Sequence, residues 1–230
     1  MTKIIEGKTK DVYRLDDGNY KLIFKDDMTG ENGIFDPGAN TVGLSVKGAG
    51  KAGLVMSAYY FSLLADKGYA THFISAGDDN MTIKPAIPFK GGLEVICRYK
   101  AAGSFIRRYG GIIQEGAPLD AVVEMTLKDD KRGDPLINED ALIATGVLKP
   151  GEYKELKALM QSICAVIKAD LGEKGMELCD IKLEFGKDPG GKIMLIDEVS
   201  GGNMRVTENG GPVSPLELSS RVVDINDKDD

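Results

Sequence analysis

The order of apolar and polar positions divides the chain into recognisable elements. Asp11-Val12-Tyr13-Arg14-Leu15 alternates, Asp16-Asp17-Gly18-Asn19 carries turn chemistry, and Tyr20 to Lys25 resumes as a second strand. Together they predict a hairpin. From Thr29 to Gly53 glycine recurs every few residues, which predicts a loop-rich stretch holding short strands. Leu54, Val55, Ala58, Phe61, Leu64 and Ala65 share a face at helical spacing, so a helix is expected from about Ala52 to Lys67, stopped by Gly68. Short strands follow at Thr71 to Ser75 and Met81 to Lys84, and Pro85 to Gly92, with two prolines and two glycines, reads as a hinge. Beyond it come a strand (Leu93 to Lys100), a short helix (Ser104 to Tyr109) and a strand (Val122 to Leu127). A long helix follows Pro150-Gly151, with Leu156, Leu159, Met160, Ile163, Val166, Ile167 and Leu171 three and four residues apart. Strands Leu178 to Phe185 and Lys192 to Glu198 flank a turn. Glu208 to Asp230 reads as loop and short segments, with Lys228-Asp229-Asp230 a frayed tail. Strands and helices mix without regular alternation, the pattern of an α+β fold. Two lobes are expected, β-rich over residues 1–84 and α+β over 85–230.

Composition narrows the class. The 230 residues form one large or two small domains, and no apolar run is long enough to span a membrane. The first residues show no basic segment followed by an apolar stretch, so a secretory signal is not expected. Cys97, Cys164 and Cys179 are scattered and odd in number, which favours a reducing, cytoplasmic setting over a disulfide framework. The net charge of −7 argues against a nucleic-acid-coating surface. Glycine is abundant, 29 residues, and tight glycine loops are where backbone meets ligands.

Four constellations carry candidate chemistry. In the strand Leu178-Cys179-Asp180-Ile181-Lys182-Leu183-Glu184-Phe185-Gly186, Ile181, Leu183 and Phe185 take one face and Asp180, Lys182 and Glu184 the other. Taken alone, that is a solvated face. Asp188-Pro189-Gly190-Gly191 has the type II turn pattern; closing the hairpin there sets Asp197 opposite Lys182 and Glu184 opposite Leu195. Glu184 and Asp197 then lie diagonally on one face, with β-carbons about 7 Å apart. Such a pair suits Mg²⁺, which takes one or two carboxylates plus substrate phosphates. Second, Gly7-Lys8-Thr9-Lys10 puts two lysines on one strand face, without Walker A spacing. Third, the small residues Ala101-Ala102-Gly103 between Arg98 and Ser104 leave room for an anion, although plain helix capping by Ser104 accounts for the same pattern. Fourth, Lys128-Asp129-Asp130-Lys131-Arg132-Gly133-Asp134 reads as a charged turn. His72, the lone histidine, reads as structural.

These residues, with Lys25-Asp26-Asp27, Thr71-His72-Phe73-Ile74, Leu93-Glu94-Val95-Ile96-Cys97-Arg98, Gly133-Asp134-Pro135-Leu136-Ile137-Asn138 and Asp197-Glu198, come in one order along residues 4–205. In that order they resemble the phosphoribosylaminoimidazole-succinocarboxamide synthase (SAICAR synthetase) family. The resemblance implies a small β-rich lobe and a larger α+β lobe with ATP between them. It also implies ATP-dependent condensation of L-aspartate with carboxyaminoimidazole ribonucleotide through an acyl phosphate, in a homo-oligomer, here a homodimer. Carried over by position, Lys8 and Lys10 would meet ATP phosphates and Glu184 and Asp197 would bind Mg²⁺. Arg98, Ser104 and Arg205 would hold the ribonucleotide phosphate, and Lys128, Asp134, Asp180 and Lys182 would line the reacting centre. Lys8, Lys10, Arg98, Lys128, Lys182 and Arg205, with Mg²⁺, would then gather positive charge in one cleft of an acidic body.

The chain departs from the family pattern at several positions. Ser200-Gly201-Gly202-Asn203-Met204-Arg205 stands where Ser-Pro-Asp-x-x-Arg is usual, so Gly202, or Asn203 in a register shifted by one, replaces an aspartate. Tyr99, Lys100 and Gly92 replace the usual asparagine, arginine and proline, and the family's C-terminal helix has no obvious counterpart. These departures leave a paralogous ATP-dependent ligase or kinase on another phosphorylated metabolite as the alternative.

Overall fold

The computed structural model of the chain describes residues 1–31, 33–39 and 41–223; the tail expected to fray at Lys228-Asp229-Asp230 lies outside them. In chain order the first elements are β1 (Thr2–Glu6), β2 (Lys10–Arg14), β3 (Tyr20–Phe24), β4 (Asp27–Glu31), β5 (Ile34–Phe35), β6 (Val42–Ser45) and α1 (Ala49–Asp66). Next come β7 (Phe73–Ala76), β8 (Asn80–Ile83), β9 (Ile87–Pro88), β10 (Leu93–Lys100), α2 (Ser104–Tyr109), β11 (Pro118–Leu127), α3 (Glu139–Ala144) and α4 (Glu152–Glu173). The chain closes with β12 (Glu177–Lys187), β13 (Ile193–Ile196), β14 (Met204–Glu208), β15 (Gly211–Pro212) and α5 (Pro215–Val222).

The described residues form three antiparallel sheets. One runs β1-β2-β3-β8-β7 and a small one runs β5-β4-β6, both built from the first 83 residues. The third runs β11-β10-β12-β14-β15, with β13 and β9 also paired to β12. Segment 85–92, expected as a hinge, contributes β9, whose Ile87 and Pro88 pair with Lys187 and Gly186. The α4 face read from the sequence is the buried one: Leu156, Met160, Ile163, Ile167 and Leu171 have no exposed surface. One apolar cluster extends from Leu22 through Tyr60 and Phe61 of α1 and Val95 of β10 to Leu218 and Val222 of α5. The two sheet systems therefore share a core, and Thr71 is bridged directly to Leu195 of β13.

Two local expectations are corrected. The turn joining β12 to β13 has its positive φ at Gly191, +86°, and not at Gly190 as a type II turn requires. Asp188 N–H donates to Lys192 O and Gly191 N–H to Asp188 O, a type I turn followed by a glycine bulge. The pairing shifts by one residue, and Glu184 lies opposite Ile196 instead of Leu195. The second correction concerns the C-terminus, which forms α5 where loop was expected. Ser214 caps it by accepting from Glu217 N–H, Pro215 occupies its first turn, and Leu218, Ser219 and Val222 are buried. Ser219 Oγ donates to Ala52 O at 2.9 Å, fastening α5 to α1. Eight residues were too few to read by periodicity; their helicity comes from the cap and the α1 contact.

Because Leu218 is 1% exposed, Leu218→Ala is expected to destabilise the whole chain by about 2–4 kcal/mol. Urea unfolding checks this, and a change near zero would mean that α5 is not docked.

Candidate functional site

A cavity of about 770 Å³ opens between the first sheet and the loops around β12 and β13, a size ordinary for small-molecule sites. Its N-terminal wall is the Gly7-Lys8-Thr9-Lys10 turn, closed by Gly7 N–H donating to Lys10 O at 2.9 Å. Lys25 braces that turn from behind, donating to Gly7 O at 2.8 Å and pairing with Asp11 at 2.7 Å. Lys8 reaches across to Asp130 at 2.6 Å. The Lys10 side chain is nearly buried and donates to Glu198 Oε1 at 2.6 Å and Asp197 Oδ2 at 3.3 Å. Burial alone would lower its pKa, but the Asp197 and Glu198 carboxylates outweigh it and drive the pKa up, so the ammonium stays charged.

The opposite wall comes from the third sheet. Strand alternation places Ile181, Leu183 and Phe185 in the core and turns Asp180, Lys182 and Glu184 to the other face, as the sequence implied. Glu184 accepts from Lys128 Nζ at 2.6 Å. Lys182 Nζ donates to Glu94 Oε1 at 2.8 Å, and Thr126 Oγ1 to Glu94 Oε2 at 2.9 Å. Asp197, although displaced by the register shift, still enters the cavity because its own backbone is left-handed, φ +67°. Burial and the Asp197 charge raise the Glu184 pKa. Burial works the same way on Asp197, but the Lys10 and Lys128 ammonium groups prevail and lower it. Asp134, at φ +46°, accepts from Asp129 N–H at 2.7 Å, and burial with the nearby Glu94 charge raises its pKa. His72 Nε2 lies 3.2 Å from Asp197 O, and burial pushes the imidazole down to about 4, so it is neutral at pH 7.

The remaining sequence candidates form a second cluster outside the cavity lining. Arg98 of β10, Asp180 of β12 and Arg205 of β14 are directly opposed across three adjacent strands. Arg98 is 1% exposed. Four of its five N–H groups are engaged, by Glu124 Oε2, Asp180 Oδ2, Ala102 O and Ser104 Oγ. Asp180, expected at the reacting centre, is instead the buried counter-ion of two arginines, accepting from Arg98 Nη1 at 2.7 Å and Arg205 Nη1 at 2.9 Å. Arg205 also pairs with Asp36 and lies against Gly103, where an added β-carbon would sit 2.6 Å from the guanidinium. Ser104 is the first residue of α2 and makes no capping bond; its hydroxyl faces Arg98.

The expected concentration of positive charge is also corrected. The cavity lining holds six lysines against eight carboxylates, and Arg98 and Arg205 are not among its residues. Sequence reasoning gave no role to Glu198, Glu94, Asp36 or Asp130, each of which pairs with a candidate lysine or arginine. Adjacency to Asp197 was the available signal for Glu198, but strand alternation would have sent it to the other face. Among the described residues no cluster of three or more His, Cys, Asp or Glu side chains is arranged to hold a metal; Glu184 and Asp197 offer a pair. No helix among them is long and apolar enough to cross a membrane.

A family model described as SAICAR synthetase matches residues 3–214. A phosphoribosylaminoimidazole-succinocarboxamide synthase from Clostridium tetani is 52% identical over 227 residues, 97% of this chain and 100% of that one. Its counterpart from Finegoldia magna is 36% identical, across 87% of this chain and 83% of that one. Among solved structures, a SAICAR synthetase (Type-2) in complex with ADP superposes with a TM-score of 0.81 at 31% identity, covering 99% of this chain and 92% of that one. The synthase from Ehrlichia chaffeensis gives 0.83 at 27% identity, covering 96% and 93%. A match along nearly the whole chain, on a fold that gathers the motif lysines and carboxylates into one cavity, places this chain in the SAICAR synthetase family.

Proposed function

We propose that the chain is an ATP-dependent ligase that joins L-aspartate to carboxyaminoimidazole ribonucleotide in purine biosynthesis, releasing ADP and phosphate. The observation that carries this reading is the cavity itself, which holds Lys10, Lys128 and Lys182 beside Glu184 and Asp197 in a chain matching the family over residues 3–214. ATP transfers its γ-phosphoryl group to the substrate carboxylate, and the aspartate amine attacks the resulting acyl phosphate and expels phosphate. Such chemistry needs positioning and charge neutralisation more than a covalent protein nucleophile.

Lys8 and Lys10 meet the nucleotide phosphates, each exchanging a carboxylate partner for a phosphate oxygen. Lys128 and Lys182 lie on the opposite wall and offset charge at the reacting carboxylate. Asp134, with its raised pKa, takes the proton that the attacking amine loses. Ser104 and Arg205 hold the ribonucleotide phosphate, while Asp180 and Arg98 orient them from behind. The donor set fits Mg²⁺: Glu184 and Asp197 are hard oxygen ligands that repel one another, in a lining with two more carboxylates than lysines. When bound, Mg²⁺ supplies charge neutralisation at phosphate oxygens. The three cysteines, free and buried, support a reducing cytoplasmic setting.

The direct test is ADP release from Mg-ATP, carboxyaminoimidazole ribonucleotide and aspartate; release that does not depend on aspartate at saturating substrates would refute the reading. Glu184→Gln is expected to lower Mg²⁺-dependent turnover at least about a hundredfold. Its melting temperature should change little, because losing the Lys128 partner is offset by relief of Asp197 repulsion. Full turnover at limiting Mg²⁺ would remove Glu184 from the metal site. Arg205→Ala is expected to raise KM for the ribonucleotide about tenfold or more and to leave KM for ATP within about threefold. Steady-state kinetics with each substrate varied decides this, and an unchanged ribonucleotide KM would displace Arg205 from its role.

A further inference from the structure

The chain has one histidine, and nothing in the proposed chemistry uses it. His72 is 2% exposed and forms part of the cavity wall. Its segment is tied to β13 by main-chain bonds: Leu195 N–H donates to Ala70 O and His72 N–H to Leu195 O, both at 3.0 Å. Lys84 N–H donates to His72 O at 2.7 Å, and the ring packs against Phe61 with centroids 5.2 Å apart. From this anchored position Nε2 meets the carbonyl oxygen of Asp197 at 3.2 Å. The stretch from Leu195 to Asp197 is thus held at both ends by one residue.

What is held there is unusual. Asp197 adopts a left-handed backbone, φ +67°, a conformation that strains a non-glycine residue and persists where the surroundings enforce it. It has a geometric consequence. In a continued strand Asp197 and Glu198 would point to opposite faces; the left-handed residue breaks that alternation, and both carboxylates reach Lys10.

We propose that His72 is a positioning residue: its Nε2–H, donated to the Asp197 carbonyl, holds the left-handed turn that aims the Asp197 and Glu198 carboxylates together into the cavity. The inference rests on the reading of Asp197 as a carboxylate serving Mg²⁺ and the nucleotide phosphates.

Two measurements test it. The first is the ¹⁵N spectrum of the imidazole in uniformly labelled wild-type protein, unambiguous because the chain has one histidine. Protonated Nε2 with bare Nδ1 is expected, and an Nδ1–H tautomer would overturn the proposal, since Nε2 could not then donate. The second is calorimetric binding of ADP, with and without Mg²⁺, to His72→Leu and His72→Gln. In His72→Leu, affinity for ADP alone should stay within about twofold of wild type while the gain from Mg²⁺ falls about tenfold or more. His72→Gln, which keeps an N–H near the Nε2 position, should retain the Mg²⁺ gain within about threefold. A folded His72→Leu with the full Mg²⁺ gain, or a His72→Gln as impaired as His72→Leu, contradicts the proposal. If His72→Leu does not fold, the tautomer and His72→Gln decide the matter. Failure of wild-type protein to gain ADP affinity from Mg²⁺ would instead count against the metal reading of Asp197, and the tautomer would still report on the His72 bond.

Discussion

The Lys10 ammonium, sunk between Asp197 and Glu198, is the interaction on which the rest of the site depends. A buried charge is tolerated only when paired, and removing one partner of such a pair costs about 3–5 kcal/mol. Lys10 belongs to the N-terminal hairpin and its partners to the loop after β13, so the ion pair joins the first sheet to the third across the cavity. The braced turn at Gly7, the left-handed Asp197 and the register of the β12–β13 hairpin all bring this cation and these anions to one place. Anionic ligands entering the cavity must compete for it.

The proposed function assigns two anion sites of different character. In the cavity, lysines are matched by carboxylates, so a polyphosphate would enter by exchanging partners and a divalent cation would offset the surplus acid. In the second cluster the arginines are preset: Asp180 and Glu124 fix Arg98, and Asp180 with Asp36 fixes Arg205. An arginine held by carboxylates presents its remaining face to a phosphate with little further ordering. That difference suits one site that must release its product and another that must hold one substrate still during the reaction. The acidic net charge is compatible with both, because each charge balance is local.

Much of this was legible in the sequence where one residue's environment is set by its near neighbours. Alternation along β12 assigned Asp180, Lys182 and Glu184 to a common face, and helical spacing identified α1 and the buried stripe of α4. Legibility failed where the outcome rests on a single backbone torsion or a distant partner. Gly191 takes the left-handed conformation where Gly190 was expected to, moving the hairpin by one residue, and the left-handed Asp197 then returns its carboxylate to the cavity. That Glu184 and Asp197 line one cavity was thus inferred from a register that does not occur. Arg98 reads as a ligand clamp from its sequence neighbours, but its burial arises from Glu124 and Asp180 on adjacent strands. His72 reads as merely structural and Glu198 receives no role because their partners lie 125 and 188 residues away along the chain.

If the cavity activates a carboxylate by phosphorylating it, an oxygen label follows that step directly. Carboxyaminoimidazole ribonucleotide labelled with ¹⁸O in its carboxylate is turned over with Mg-ATP and aspartate, and the released phosphate is examined by ³¹P NMR. An acyl phosphate intermediate requires one labelled oxygen to leave with the phosphate, giving the isotope-shifted signal. Phosphate carrying no label, while the succinocarboxamide product forms at its normal rate, would contradict the account.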